Sequence, residues 1–196
     1  MSTANVQPSL VAQDWHHRYC FGCGPDNPRS LKGDFRFHVD SGEVLMEYSA
    51  DDTCMGAPGY LHGGVIAALL DEAQGVLCHH IGHFVMTEKL QMSYSKAVAL
   101  HEPFIIRAWL SAVRKRRLYT RALIVSKDGT ECVRSRASWY LLPERLCQKM
   151  MGLHSEQAIA HYRSLMEVNR ARAREIRQRL REQQKKESAR NAIADQ

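Results

Sequence analysis

The chain has 196 residues, 44% hydrophobic and 24% charged, enough for one medium domain with an ordinary core and an appendage. Its net charge of +6 is unevenly placed: residues 155–196 carry ten Lys/Arg against six Asp/Glu, while the first 154 carry seventeen against fifteen. There is no apolar run of membrane-spanning length, no secretory-type N-terminus and no dense cysteine framework, so a reduced, cytoplasmic protein without a membrane span is expected.

Residues 1–19 read as a lead-in, with a short helix expected around Val11–His16. "CFGCGPDNPRS" follows, rich in turn formers. Its Cys20 and Cys23 make a C-x-x-C with His16 and His17 nearby. A structural zinc site takes about four ligands, and no second C-x-x-C or H-x₃-H follows, so no metal is expected. "DFRFHVD" alternates, with Phe35, Phe37 and Val39 on one side and Arg36 and His38 on the other, which is the period of a half-buried strand. "SG" turns the chain, and "EVLMEYSA" returns as the second strand of a hairpin.

"HGGVIAALLDEAQGVLCHH" is long and Ala/Leu-rich, and apolar residues cover most of its cylinder, as in a core helix. His79, His80 and His83 follow at its end, where histidine complements the helix dipole. Four strands are expected next, near Met86–Lys96, Phe104–Val113, Leu118–Ser126 and Cys132–Leu142. Lys127–Gly129 is a turn between the last two, and Pro143 ends the series. This order gives an α+β layout: an antiparallel sheet of about six strands curled around one long buried helix, the hotdog arrangement.

From Ser155 the chain is free of Gly and Pro and forms a charged C-terminal helix. Ile159, Tyr162, Met166, Asn169, Ala173, Ile176 and Leu180 make a heptad-like stripe. It suits packing on the body or on a partner better than a coiled coil. One aromatic, Tyr162, is too few for base stacking, so nucleic acid is not an expected partner. The divisions are therefore 1–19 lead-in, 20–145 hotdog domain and 155–196 basic helical extension.

The central helix carries the chemistry. Its N-terminus exposes unpaired backbone N–H groups. Gly63 and Gly64 either offer these to a developing oxyanion or allow tight packing there. Asp71 lies among Leu69, Leu70, Ala73 and Val76. It is paired, or lines a cavity, or shares one wet stripe with Glu72. Gly63 and Asp71 are eight residues apart, about 12 Å along the axis at roughly 1.5 Å per residue. One carbonyl cannot touch both. If both serve one reaction, they come from different chains of a two-fold dimer with antiparallel helices, which has two composite sites.

"CFGCGPDNP", "LHGGVIAALLDEAQG" and "VMTEKLQMSYSKAV" together resemble the hotdog-fold acyl-CoA thioesterases of the phenylacetyl-CoA and 4-hydroxybenzoyl-CoA thioesterase branch. The likeness covers about residues 18–143. It implies an acyl-CoA thioester hydrolase of lipid metabolism, acting as a homodimer or dimer of dimers without a cofactor or metal. In that reading Asp71 is general base or nucleophile, Thr87 holds the attacking water or orients the carboxylate, and Gly63 with Gly64 polarises the carbonyl. His62 shapes the turn, and Glu72 stands in reserve. The family's phosphate-contacting hairpin falls on "VRKRRLYTR". Arg116 and Arg117 take the basic positions, and Lys115 replaces a common glycine. Ser30 likewise stands where the family has glycine. The same fold also serves as a non-catalytic acyl-CoA or acyl-carrier binding module, which would not require the Asp71–Thr87 pair.

Overall fold

The computed structural model describes residues 18–194, with side chains through Gln183 and at Lys185. The expected Val11–His16 helix, His16 and His17 lie outside the described residues. The elements run β1 (Arg36–His38), β2 (Glu43–Tyr48), α1 (Gly63–His80), β3 (Val85–Tyr94), β4 (Phe104–Arg114), β5 (Arg117–Ser126), β6 (Glu131–Leu141), α2 (Glu144–Met150) and α3 (Glu156–Ala194). The six strands form one antiparallel sheet in the order β1-β2-β4-β5-β6-β3. Helix α1 lies on its face, and this is the hotdog fold.

Period-two alternation sorts the strand side chains. Val44, Met46, Ile106, Ala108, Leu118, Ala122, Ile124, Val133, Ala137 and Trp139 are buried. They share one core with Ile66, Leu69, Leu70, Ala73, Val76 and Leu77 of α1. These helical positions recur at steps of three and four, so one face of α1 is buried. The opposite face, through Gly64, Ala67, Ala68, Asp71 and Gly75, remains partly open.

A small polar network, Gln74 with Thr120 and Ser135, sits in this core. Gln74 is fully buried. Its Nε2 donates to Leu70 O and to Ser135 Oγ, both at 2.9 Å. Its Oε1 accepts from Thr120 Oγ1 at 2.7 Å. Thr120 Oγ1 in turn accepts from Trp139 Nε1 at 2.7 Å. The network ties α1 to β5 and β6 and satisfies the buried polar groups, which would otherwise be costly.

The stripe foreseen in the tail packs on the body. Tyr162, Met166, Asn169, Ala173 and Ile176 are buried. Asn169 Nδ2 donates to His79 O at 3.1 Å, and Arg179 donates to Val39 O and Asp40 O. Gly82, at φ +80, turns the chain after α1, and a Cβ there would meet Met166 O at 2.6 Å. Helix α2 was not foreseen; the proline that ends β6 also opens this short helix. His79 and His80 lie in the last turn of α1, as expected, while His83 beyond it departs from the dipole reading. His80 stacks on Phe37 at 4.9 Å and His79 packs against Phe84. Burial first, then Arg170 and Arg177, pushes His83 down to about 4. It is therefore neutral at pH 7 and does not serve the dipole as a cation.

Two outcomes follow. Gln74→Ala leaves Thr120 and Ser135 short of partners and opens a cavity, so urea denaturation should show a loss of about 2–4 kcal/mol. The folded-state pKa of His83 is depressed, so its stabilising contribution is present above the unfolded value and lost as pH falls from about 6.5 towards 4. The melting temperature of His83→Gln should therefore fall less steeply than wild type across that window.

Candidate active site

Helix α1 begins cleanly because His62 is extended, at φ −65 and ψ 134, and its Nδ1 accepts from Gly64 N–H at 2.9 Å. A side chain at Gly64 would bring its Cβ to 3.0 Å from that Nδ1. Glycine therefore lets the imidazole cap the helix. Ile66 N–H is taken by His62 O. Gly64 N–H is thus committed within this chain. Among the described residues, Gly63 N–H has no such bond, and Gly63 O accepts from Tyr94 OH at 3.0 Å.

Two turns later, Asp71 is half-buried on the open face of α1. Thr87 Oγ1 donates to Asp71 Oδ1 at 3.1 Å, with Oδ2 at 3.4 Å. Desolvation raises the Asp71 pKa above the usual carboxylate range, and the Thr87 hydrogen bond pulls the other way. Thr87 sits at an irregularity in β3: it pairs with Trp139, and pairing resumes with Lys89 opposite Ser138. This bulge puts Thr87 towards α1 and leaves Glu88 outside the regular alternation.

Glu88 meets the hairpin. Arg117 Nε and Nη2 both donate to its carboxylate, at 2.6–3.0 Å. Arg116 lies over the Tyr140 ring, 5.3 Å from its centroid. Lys115, where the family often has glycine, takes a left-handed φ of 52. The structure brings Asp71 and Thr87 together, and Gly63, Gly64 and His62 together, but keeps the two groups apart along the helix. Glu72 faces the Cys20 loop instead: Cys20 Sγ lies 3.5 Å from its carboxylate.

Strand β3 is at the sheet edge, and most of its ten residues are exposed. Met86 and Tyr94 on it, and Met55 and Tyr60 in the loop ahead of α1, are exposed large apolar side chains. Two concavities, one along α3 and one near Val98 and Phe104, do not include Asp71. No helix among the described residues is long and apolar enough to cross a membrane.

A sequence model of the Thioesterase superfamily matches residues 58–133, which span α1, Asp71 and Thr87. A solved thioesterase superfamily protein superposes with a TM-score of 0.60 at 30% identity, covering 64% of this chain and 61% of that one. In fold, and over residues 58–133 in sequence, this chain is similar to the hotdog thioesterases. The rat (Rattus norvegicus) acyl-coenzyme A thioesterase THEM4 is 33% identical over 73 residues, 37% of this chain and 31% of that protein. The chain thus aligns with about a third of that relative's length. A Streptococcus mutans protein solved with acetyl-CoA bound has the same fold, with a TM-score of 0.52 at 17% identity over 56% of this chain and 88% of that one.

The cap at the start of α1 can be tested apart from any chemistry. His62→Ala removes the acceptor for Gly64 N–H and should lower stability by about 0.5–1 kcal/mol in chemical denaturation.

Proposed function

We propose that this chain hydrolyses acyl-CoA thioesters at composite sites in a homodimer or dimer of dimers. The observation that carries the reading is the Asp71–Thr87 pair, a half-buried carboxylate held at 3.1 Å on the open face of the superfamily's central helix. Burial makes Asp71 a stronger base than a solvated carboxylate, and Thr87 fixes its orientation. Asp71 takes a proton from water, and the resulting hydroxide attacks the thioester carbonyl carbon. The tetrahedral oxyanion is met by Gly63 N–H from the partner's helix. Collapse breaks the C–S bond, the CoA thiolate leaves and is protonated, and the acid is released. In the alternative route, Asp71 attacks directly and water resolves the anhydride.

Several observations support two chains. The two ends of the machinery are about 12 Å apart along one helix. The exposed edge of β3 suits strand pairing with a second copy, and His62 uses up Gly64 N–H, leaving Gly63 as donor. Arg116 and Arg117 would hold the CoA phosphates. Arg117 then exchanges Glu88 for phosphate, whereas Arg116 needs to give up only its stacking. In this reading residues 20–145 form the catalytic unit, with 1–19 a lead-in and 155–196 an added helix. Six cysteines, none of them in a disulfide, fit a cytoplasmic enzyme of lipid metabolism.

The experiment is complementation. Asp71→Asn should abolish release of CoA thiol. Gly63→Pro removes the donor N–H at the first helical position, where proline is tolerated, and should cut turnover by about 10²-fold or more. Refolded together, the two inactive chains should recover about a quarter of wild-type activity, because half of the dimers are mixed and each has one intact site. No recovery, with both variants folded and dimeric, sinks the shared site. Acyl-CoA binding without turnover in the wild type would replace hydrolysis with a binding role.

A further inference from the structure

The loop before β1 and the residue after Asp71 come together in a way that hydrolysis does not use. Cys20 and Cys23 lie at the two ends of a tight turn closed by Gly24 N–H donating to Cys20 O at 2.9 Å. Glu72 reaches the same turn from α1. One ligand atom from each of Cys20, Cys23 and Glu72 falls within 4.8 Å of the others, and all three residues are half-buried. Cys20 Sγ is 3.5 Å from Glu72 Oε1 and 3.6 Å from Oε2.

We infer that Cys20, Cys23 and Glu72 form a zinc site that fastens the N-terminal loop to helix α1. With Zn–S of about 2.3 Å and Zn–O of about 2.0 Å, a tetrahedral centre sets sulfur and oxygen about 3.5 Å apart. The Cys20–Glu72 separation has that value without rearrangement. Two thiolates select zinc over the hard cations that prefer all-oxygen ligation. Binding releases the two thiol protons, and water takes the fourth position.

The loop is built to present these groups. A Cβ on Gly22 would meet the Glu72 side chain at 2.5 Å, so this position must be glycine for the carboxylate to approach. Arg18 pairs with Asp26 across the base of the loop. Lys32 Nζ donates to the carbonyls of Gly24, Pro25 and Asn27 at 3.1, 2.7 and 2.9 Å. Leu31 N–H and Gly33 N–H donate back to Phe21 O and Gly22 O. The ligands are therefore held in place by contacts that do not involve the metal. The third ligand comes from a helix 52 residues away, so the sequence shows a C-x-x-C with no visible partner.

The site stands apart from thioester chemistry, and its test does not read hydrolysis. The full-length protein, produced with zinc, should retain about one zinc per chain after dialysis against metal-free buffer, measured by mass spectrometry of the element. Replacement with cobalt should give the intense visible bands of a tetrahedral site and a thiolate-to-cobalt charge-transfer band. Cys23→Ser should lose most of that band. Glu72→Gln should keep it while weakening metal affinity about 10-fold or more. Circular dichroism checks that each variant is folded. A wild-type protein that keeps no metal and gives no thiolate band with cobalt overturns the proposal. So does a Cys20–Cys23 disulfide in protein isolated without oxidant. Metal content unchanged by Cys20→Ser, Cys23→Ser and Glu72→Gln would overturn it too.

Discussion

The buried hydrogen bonds of Gln74 fix how α1 is rotated against the sheet. Apolar packing alone tolerates a helix sliding or turning by part of a residue, because dispersion contacts are individually small and non-directional. A buried amide that must satisfy Leu70, Ser135 and Thr120 at once does not tolerate it. Asp71 lies three residues before Gln74 and Glu72 two, so at about 100° per residue the three side chains leave the helix in different directions. Holding one amide therefore aims two carboxylates: Asp71 at Thr87 on β3, and Glu72 at the loop before β1.

The balance at Asp71 follows from that placement. For the base role proposed for Asp71, a carboxylate fully sunk in the core would be neutral and inert, and one in open water would be too weak. Partial burial shifts its pKa upward and the threonine hydroxyl restrains the shift. The bulge in β3 adds to this control, since without the extra residue at Glu88 the register that brings Thr87 to the helix would not also give Arg117 an acidic partner.

Much of the architecture was legible because it rests on periodicity. The alternation of Phe35 and Phe37 places both in the core, and the run from Gly63 to His80 forms the helix it implied. The tail stripe was visible for the same reason, as Tyr162, Met166, Ala173 and Ile176 are each one turn from the next buried position. Pairings between distant segments were not legible. Periodicity does not tell which side chain Glu72 meets, or that Arg117 is occupied by Glu88. The Asp71–Thr87 pair came from likeness to a family and from no local pattern. Of the histidines at the end of α1, His83 alone departs from the dipole reading, because burial keeps it neutral, and no sequence pattern shows that burial.

The docking of α3 sets an order of events during synthesis. Its anchors are remote in sequence: Asn169 bonds to the carbonyl of His79 and Arg179 to that of Val39, separations of 90 and 140 residues. The sheet is complete once Leu141 has been made, yet Ile176 and Leu180, which cover the β1–β2 hairpin, come almost forty residues later. At about 5–20 residues per second, that interval lasts about 2–8 seconds. For those seconds the nascent domain carries a bare apolar strip beside Gly42 and Gly82, and its last helix acts as the piece that closes it.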